Sequence, residues 1–255
     1  MEDHDRDRNT ASSVTEAYTN GRPARRRLRR LARDVAPPLT VVLLAFAAWE
    51  VVVVVSGLPP FILPSPSDIV QTLQASGTVL AQAVGHTLAS TALGLAAAMV
   101  LAILVAAAMD MVPFVKRGLY PILVASQTVQ ILAVAPLLII WFGFGRLPTV
   151  LVVILFTFFP MAIATVDGLS ATDPDYVALL QSMGAARGFV WRNVRLPAAL
   201  PSFFSGLRLA VTYSVVAATV GEWVGGTQGL GLYMLRSKNA LQTDQVFVGM
   251  LITTA

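Results

Sequence analysis

Residues 92–109 read ALGLAAAMVLAILVAAAM, a run of apolar residues with no charged side chain. A helix of about 20 residues, rising 1.5 Å per residue, crosses the roughly 30 Å hydrocarbon core of a bilayer. Because that core contains no water, backbone groups must pair within the segment itself, as they do in a helix. The stretch therefore predicts a membrane-spanning helix over about residues 84–109.

The composition of the whole chain is that of a membrane protein. Of its 255 residues, 56% are hydrophobic and 13% are charged, whereas soluble domains contain about 25% charged residues. The chain has no cysteine and two histidines, His4 and His86. Disulfides, a catalytic thiolate and a clustered metal site are therefore excluded. We expect an all-α, polytopic membrane helix bundle.

Further apolar runs predict about six spans. They cover approximately residues 39–56, 84–109, 118–141, 147–166 and 203–224, and a sixth run begins at Val246. The last run makes only about 15 Å of helix, so its span is expected to be truncated. The proline-rich residues 58–66 cannot continue a helix in lipid and predict an interfacial connector.

Residues 1–36 differ from the rest of the chain. They hold nine of the 18 Lys and Arg residues and lack an apolar face. We expect an N-terminal arm over 1–36 that is disordered or lies on the membrane surface, followed by a transmembrane domain over 37–255.

The basic residues also predict the orientation. With the N-terminus inside the cell, fourteen Lys and Arg residues lie in inner segments and three in outer segments. Cytoplasmic segments carry such an excess of positive charge. The arm and residues 167–202 are therefore predicted to be cytoplasmic.

Residues 167–202 form a long connection for a helix bundle, where two to eight residues are usual. Asp173 suits the N-cap of a short helix, Pro174 its first turn and Gly184 its end. Pro197 and Pro201 predict an interruption before the chain re-enters the bilayer. The pattern indicates a short helix on the inner membrane face.

This segment resembles the EAA loop of permeases in binding-protein-dependent ABC importers, whose pattern is E-A-A, three residues, Gly, nine residues, then I-x-L-P. The matching residues are Gly184, Val194, Leu196 and Pro197. Other stretches resemble the nitrate, sulfonate, taurine and thiamine-precursor branch, and the resemblance covers about residues 58–255. These stretches include Leu63-Pro64-Ser65-Pro66, His86-Thr87-Leu88, Trp141-Phe142-Gly143-Phe144-Gly145 and Gly229-Leu230-Gly231.

The resemblance implies a type I importer permease in a bacterial inner membrane. It would form the substrate path with a second permease copy, as a homodimer, and couple to a cytoplasmic ABC ATPase dimer. An extracytoplasmic binding protein would deliver a small anion of the sulfonate, taurine or nitrate type, or a heteroaromatic vitamin precursor. The positions implied for ATPase coupling are Asp175, Ala178, Leu179, Gln181, Ser182, Gly184, Ala185 and Arg187.

ATP and Mg²⁺ would bind the partner ATPase, because this chain has no G-x-x-x-x-G-K-[ST] phosphate loop. No cofactor and no nucleic-acid partner are expected. The chain departs from the family motif at the E-A-A triplet itself: Ala178, Leu179 and Leu180 stand where the motif has Glu-Ala-Ala, so the acidic residue is missing. Asp175, nearly one helical turn earlier, is the candidate to replace that acid.

Three polar residues within apolar segments are candidates for a substrate path. Gln127 and Gln130 share one helix face, and Glu222 is an ionisable residue in a predicted span, which by default marks a functional position. For the glutamines, the alternative is a hydrogen bond to a neighbouring helix. For Glu222, and for Glu50 in the first span, the alternative is an anchor at the membrane interface.

Two other functions remain open at this point. A secondary transporter would show inverted repeats or paired broken helices, and the sequence has no convincing internal repeat. A membrane-embedded enzyme would need a nucleophile, a base and an orienting group together, and no such set recurs in the sequence.

Overall fold

A computed structural model describes residues 22–127 and 131–254, and every regular element in these ranges is helical. A π-helical turn, Trp191–Arg195, connects two of the helices. In chain order the helices are α1 (Arg22–Ser56), α2 (Pro66–Ala75), α3 (Gly77–Met111), α4 (Pro113–Ser126), α5 (Ile131–Phe142), α6 (Arg146–Ser170), α7 (Pro174–Ser182), α8 (Arg187–Val190), α9 (Leu196–Gly225), α10 (Leu230–Asn239) and α11 (Thr243–Thr254).

Three helical stretches are long and apolar enough to cross a membrane: α3, α6 and the continuous stretch Arg187–Gly225, which includes α9. Shorter apolar helices cover Thr40–Ser56, within α1, and Ala133–Phe142, within α5. The predicted all-α polytopic membrane fold is confirmed. The total of six spans stays a prediction, because it depends on the shorter helices.

Small side chains hold the bundle together. α6 packs against both α3 and α9. On α3, Ala98, Ala102 and Ala106 are fully buried, and their spacing of four residues places them on one helix face. In lipid no hydrophobic force drives helices together, so close van der Waals packing of small residues takes its place.

The contact between α6 and α9 is close enough to need a glycine. A Cβ on Gly206 of α9 would lie 2.7 Å from the Cβ of Ala164 on α6, well inside van der Waals contact. The two backbones therefore approach each other at a point where no larger residue fits.

The predicted span over 118–141 is wrong as a single helix. α4 ends at Ser126 and α5 begins at Ile131. At 1.5 Å per residue, the two helices are about 21 and 18 Å long, so each is shorter than the bilayer core. Residues 126–130 read SQTVQ, a polar stretch within the predicted span that coincides with the division.

The predicted interruption at Pro201 is also wrong, because Pro201 lies inside α9. The adjustment occurs earlier, in the π-helical turn, where the Leu196 N–H bonds to the Trp191 carbonyl. Pro197 has no N–H, and its ring would clash with the carbonyl four residues before it in an α-helix. The wider π turn relieves that clash and lets the helix continue.

α1 and residues 65–67 form a compact unit of their own. In this unit the Glu50 carboxylate accepts hydrogen bonds from the Ser67 N–H and hydroxyl, at 3.1 and 2.7 Å. Ser67 is the second residue of α2, so Glu50 pairs an N–H that the helix leaves free. This favours the anchor interpretation of Glu50. Residues 1–21 of the predicted arm lie outside the described residues, and the arm boundary at residue 36 stays a prediction.

Candidate functional site

α7 is a short helix whose two ends are fixed by its own sequence. Asp173 Oδ1 accepts a hydrogen bond from the Asp175 N–H at 2.9 Å, which confirms the predicted N-cap. At the other end Gly184 has φ +87°. The Ala185 N–H donates to the Leu180 carbonyl and the Gly184 N–H to the Gln181 carbonyl, both at 3.0 Å.

This pair of hydrogen bonds, one spanning five residues and the other three, is a Schellman motif. The left-handed backbone at Gly184 costs little in a residue without a Cβ. The predicted helix end at Gly184 is therefore confirmed, and α7 is a helix of nine residues with both ends capped.

One face of α7 is apolar and uncovered. Tyr176, Leu179 and Met183 are 50, 56 and 76% exposed, and their spacing of three and four residues places them side by side. Val177, in contrast, is buried. A contiguous apolar surface outside the membrane-spanning helices is typical of a contact with another protein or with the membrane surface.

The predicted ATPase-coupling residues lie on α7 and in the turn that follows it, so the structure brings them together. All are exposed except the half-buried Ala185. They are Asp175, Ala178, Leu179, Gln181, Ser182, Gly184, Ala185 and Arg187. Their role in coupling stays a prediction.

Near α7, an ion pair joins the end of α3 to the π-helical turn that precedes α9. Arg195, in the π-helical turn before α9, lies 2.7 Å from Asp110 near the end of α3, and their side chains are 32% and 8% exposed. Arg195 and Asp110 also line a cavity of about 420 Å³ together with Gln181 of α7 and Arg187. The sequence analysis did not identify this ion pair. Its one signal in the sequence is Asp110, which directly follows the apolar run 92–109.

A second polar network lies at the opposite end of the bundle, where α9 ends and α10 begins. Glu222 is 2% exposed. Its Oε1 accepts a hydrogen bond from the Thr87 hydroxyl at 2.8 Å, and its Oε2 accepts one from the Gly231 N–H at 2.7 Å. The Leu230 N–H donates to the Thr87 hydroxyl at 2.8 Å. Side chains of α3 and α9 thus satisfy the first two N–H groups of α10.

This network requires the glycine before α10. Gly229 has φ +120°, and a Cβ there would overlap the Glu222 carboxyl group. The separate sequence motifs His86-Thr87-Leu88 and Gly229-Leu230-Gly231 therefore meet around one buried carboxylate. Sequence analysis identified both motifs but not their contact, since 135 residues separate Thr87 from Glu222.

The predicted path residues have different surroundings. Both Glu222 oxygens accept hydrogen bonds from the protein and the side chain is buried, so Glu222 is part of the helix-packing network, and its role in a substrate path stays a prediction. Gln127 is exposed and directly follows α4, whereas Gln130 lies outside the described residues. Their role in a substrate path stays a prediction. Within residues 22–127 and 131–254, no group of three or more His, Cys, Asp or Glu side chains is placed to hold a metal ion.

Comparison with known proteins identifies the family of this chain. The profile described as binding-protein-dependent transport system inner membrane component matches residues 98–255. The formylaminopyrimidine transport permease protein ThiX of Halalkalibacterium halodurans is 38% identical over 216 residues, 84% of this chain and 86% of that protein.

Two further relatives are also permeases. The riboflavin transport system permease protein RibX of Chloroflexus aurantiacus is 35% identical over 88% of this chain and 85% of its own length. The taurine transport system permease protein TauC of Escherichia coli is 29% identical over 87% of this chain and 83% of its own length. These relatives are transport subunits rather than enzymes, and the predicted branch of the superfamily is confirmed. The chain belongs to the binding-protein-dependent transport system inner membrane component family and is a permease subunit of an ABC importer.

Proposed function

We propose that α7 is the element through which a cytoplasmic ABC ATPase dimer drives this permease. The observation that carries the proposal is the combination of two fixed helix ends with an uncovered apolar face on Tyr176, Leu179 and Met183. A helix that docks in a partner's groove presents such a face.

The Asp110–Arg195 ion pair is the proposed link from α7 to the bundle. When ATP closes the ATPase dimer, the grooves that hold α7 move. A displacement of α7 shifts the turn that carries Arg195, and through Asp110 it reaches the end of α3. α3 and α9 then change from one packing arrangement to another, and the ATPase stabilises one of the two arrangements.

The proposed assembly contains two copies of this permease, the ATPase dimer and an extracytoplasmic substrate-binding protein. The N-terminus and residues 167–202 lie in the cytoplasm, in agreement with the excess of basic residues in these segments. The binding protein would then meet the end of the bundle where α10 lies. ATP and Mg²⁺ belong to the ATPase.

The proposed substrate is a small anion of the sulfonate, taurine or nitrate type, or a heteroaromatic vitamin precursor. The names of the relatives support this range. Gln127 directly follows α4, before α5 begins, and discontinuous helices line the binding sites of many transporters. The path is therefore proposed to pass the α4–α5 connection.

Purification of the tagged chain from native membranes tests the partner. We expect a phosphate-loop ATPase to copurify and solute uptake to require ATP. Uptake by the chain alone, driven by a proton gradient, would refute the proposal. Because the chain has no cysteine, a Ser182→Cys variant tests the topology independently. Labelling of that residue by an impermeant reagent added outside intact cells would contradict the orientation.

A further inference from the structure

At the α10 end of the bundle, α3, α6 and the turn before α10 enclose a cavity of about 250 Å³. All but one of its lining residues carry a hydrogen-bonding side chain, and none of them is acidic. They are His86, Ser90, Gly145, Arg146, Thr149, Thr227 and Gln228.

Arg146 supplies the positive charge of this cavity. Its Nη2 lies 3.4 Å from His86 Nδ1. A guanidinium only donates, so the imidazole nitrogen is the acceptor, and the long contact orients the side chain while most of its N–H groups stay available. Among the described residues, Arg146 has no carboxylate partner.

Two largely buried residues of the cavity wall, Ser90 and Thr149, carry hydroxyl groups that line the cavity. Ser90 is 4% exposed and Thr149 is 1% exposed, and neither hydroxyl makes a hydrogen bond to another residue of the described ranges. Both residues line the cavity, so their hydroxyl groups are free to donate a hydrogen bond to a molecule held there.

The backbone at the start of α6 also favours an anion in this cavity. The helix begins at Arg146, so the N–H groups of its first turn have no partner within the helix. Their partial positive charge favours an anion. Cationic, hydroxyl and backbone donors thus lie in or beside one cavity, and none of its lining residues is acidic.

We propose that this cavity binds an oxyanion: a sulfonate, sulfate, phosphate or carboxylate group, with Arg146 as the charged ligand and Ser90 and Thr149 as hydroxyl donors. Two sources share this chemistry, a dissolved solute and the phosphate of a lipid headgroup. Anion binding itself does not depend on the proposed function. With the proposed orientation, the cavity would face the side from which solute arrives.

The test is a titration of the purified chain with sulfate and with methanesulfonate at constant ionic strength, followed by thermal unfolding. A ligand that binds only the folded state raises the unfolding temperature by mass action. We expect protection of the wild type, with affinity about tenfold weaker in Arg146→Gln because a charge-assisted hydrogen bond is lost. Thr149→Val, which keeps the side-chain shape, should weaken binding several-fold.

Arg236→Gln is the matched control, because Arg236 is exposed on α10 and does not line the cavity. It should bind as the wild type does. Equal protection of wild type, Arg146→Gln and Arg236→Gln would show a general salt effect and overturn the proposal. No protection in any lipid would also overturn it.

Nanodiscs distinguish the two sources. If a dissolved solute is the ligand, sulfate protects equally in discs of digalactosyldiacylglycerol, which contains no phosphate, and in discs that contain phosphatidylglycerol. If a lipid headgroup is the ligand, phosphatidylglycerol abolishes the sulfate effect in the wild type but changes nothing in Arg146→Gln. Either pattern supports the oxyanion site. Copurification of the ATPase does not depend on anion binding in this cavity. Either proposal can therefore be refuted while the other stands.

Discussion

Replacement of Thr87 by valine tests the network that joins α3, α9 and α10. Valine keeps the shape of threonine and removes the hydroxyl. That hydroxyl donates to Glu222 Oε1 and accepts from the Leu230 N–H, both at 2.8 Å. Thr87→Val therefore leaves a buried N–H and a buried carboxylate oxygen without partners.

The expected loss in the free energy of unfolding comes from these two unpaired groups. A buried polar group that loses its partner costs about 1–3 kcal/mol, and more if it is charged. We therefore expect Thr87→Val to lower the free energy of unfolding by about 2 kcal/mol or more. Thr87→Ser keeps the hydroxyl and loses one methyl group, at a cost of about 0.8 kcal/mol.

The assay is thermal unfolding of both variants in the same detergent. For a chain of this length, 1 kcal/mol corresponds to roughly 2–4 °C in Tm. Thr87→Val should therefore unfold several degrees below Thr87→Ser. Equal Tm values for the two variants would refute the argument that this hydroxyl holds the start of α10.

The remaining predictions concern the α7 end and the helix packing. Asp173→Ala removes the cap on the Asp175 N–H and should lower uptake while membrane abundance stays unchanged, since a cap contributes about 1 kcal/mol to one helix. Arg195→Met should lower Tm more than Asp110→Asn, because it leaves the better-buried charge unpaired; the reverse order in thermal unfolding would contradict this. Gly206→Val should separate α6 from α9 and reduce the amount of folded protein in the membrane by several-fold, measured by quantitative immunoblot; normal abundance would argue against that close contact.

The features that the sequence predicted well are local. The caps of α7 depend on Asp173 and Gly184, which lie within a few residues of the groups that they pair. Hydropathy likewise predicts α3 and α6, because each span is one uninterrupted apolar run. Such signals are contained in a short window of sequence.

The features that the sequence did not predict depend on distant residues. In the sequence Glu222 is a lone ionisable group within an apolar segment, and no pattern along the chain indicates that Thr87 and Gly231 lie against it. The only local signal for the division between α4 and α5 is the polar stretch Ser126-Gln127-Thr128-Val129-Gln130, which the span prediction included in one helix. Pro201 predicts an interruption but lies inside α9, and the π-helical turn before α9 accommodates Pro197. Tertiary context therefore determines the buried polar sites.

The central claim, that α7 transmits ATP-driven motion, is tested most directly by uptake in proteoliposomes with Gly184→Val. At φ +87° a β-branched residue is strained by about 1 kcal/mol or more, which displaces the end of α7. Gly188→Val is the matched control, because Gly188 is exposed and a Cβ there meets open space. We expect Gly184→Val to lose most ATP-driven uptake at normal membrane abundance, with Gly188→Val close to the wild type. Normal uptake by Gly184→Val would contradict the claim.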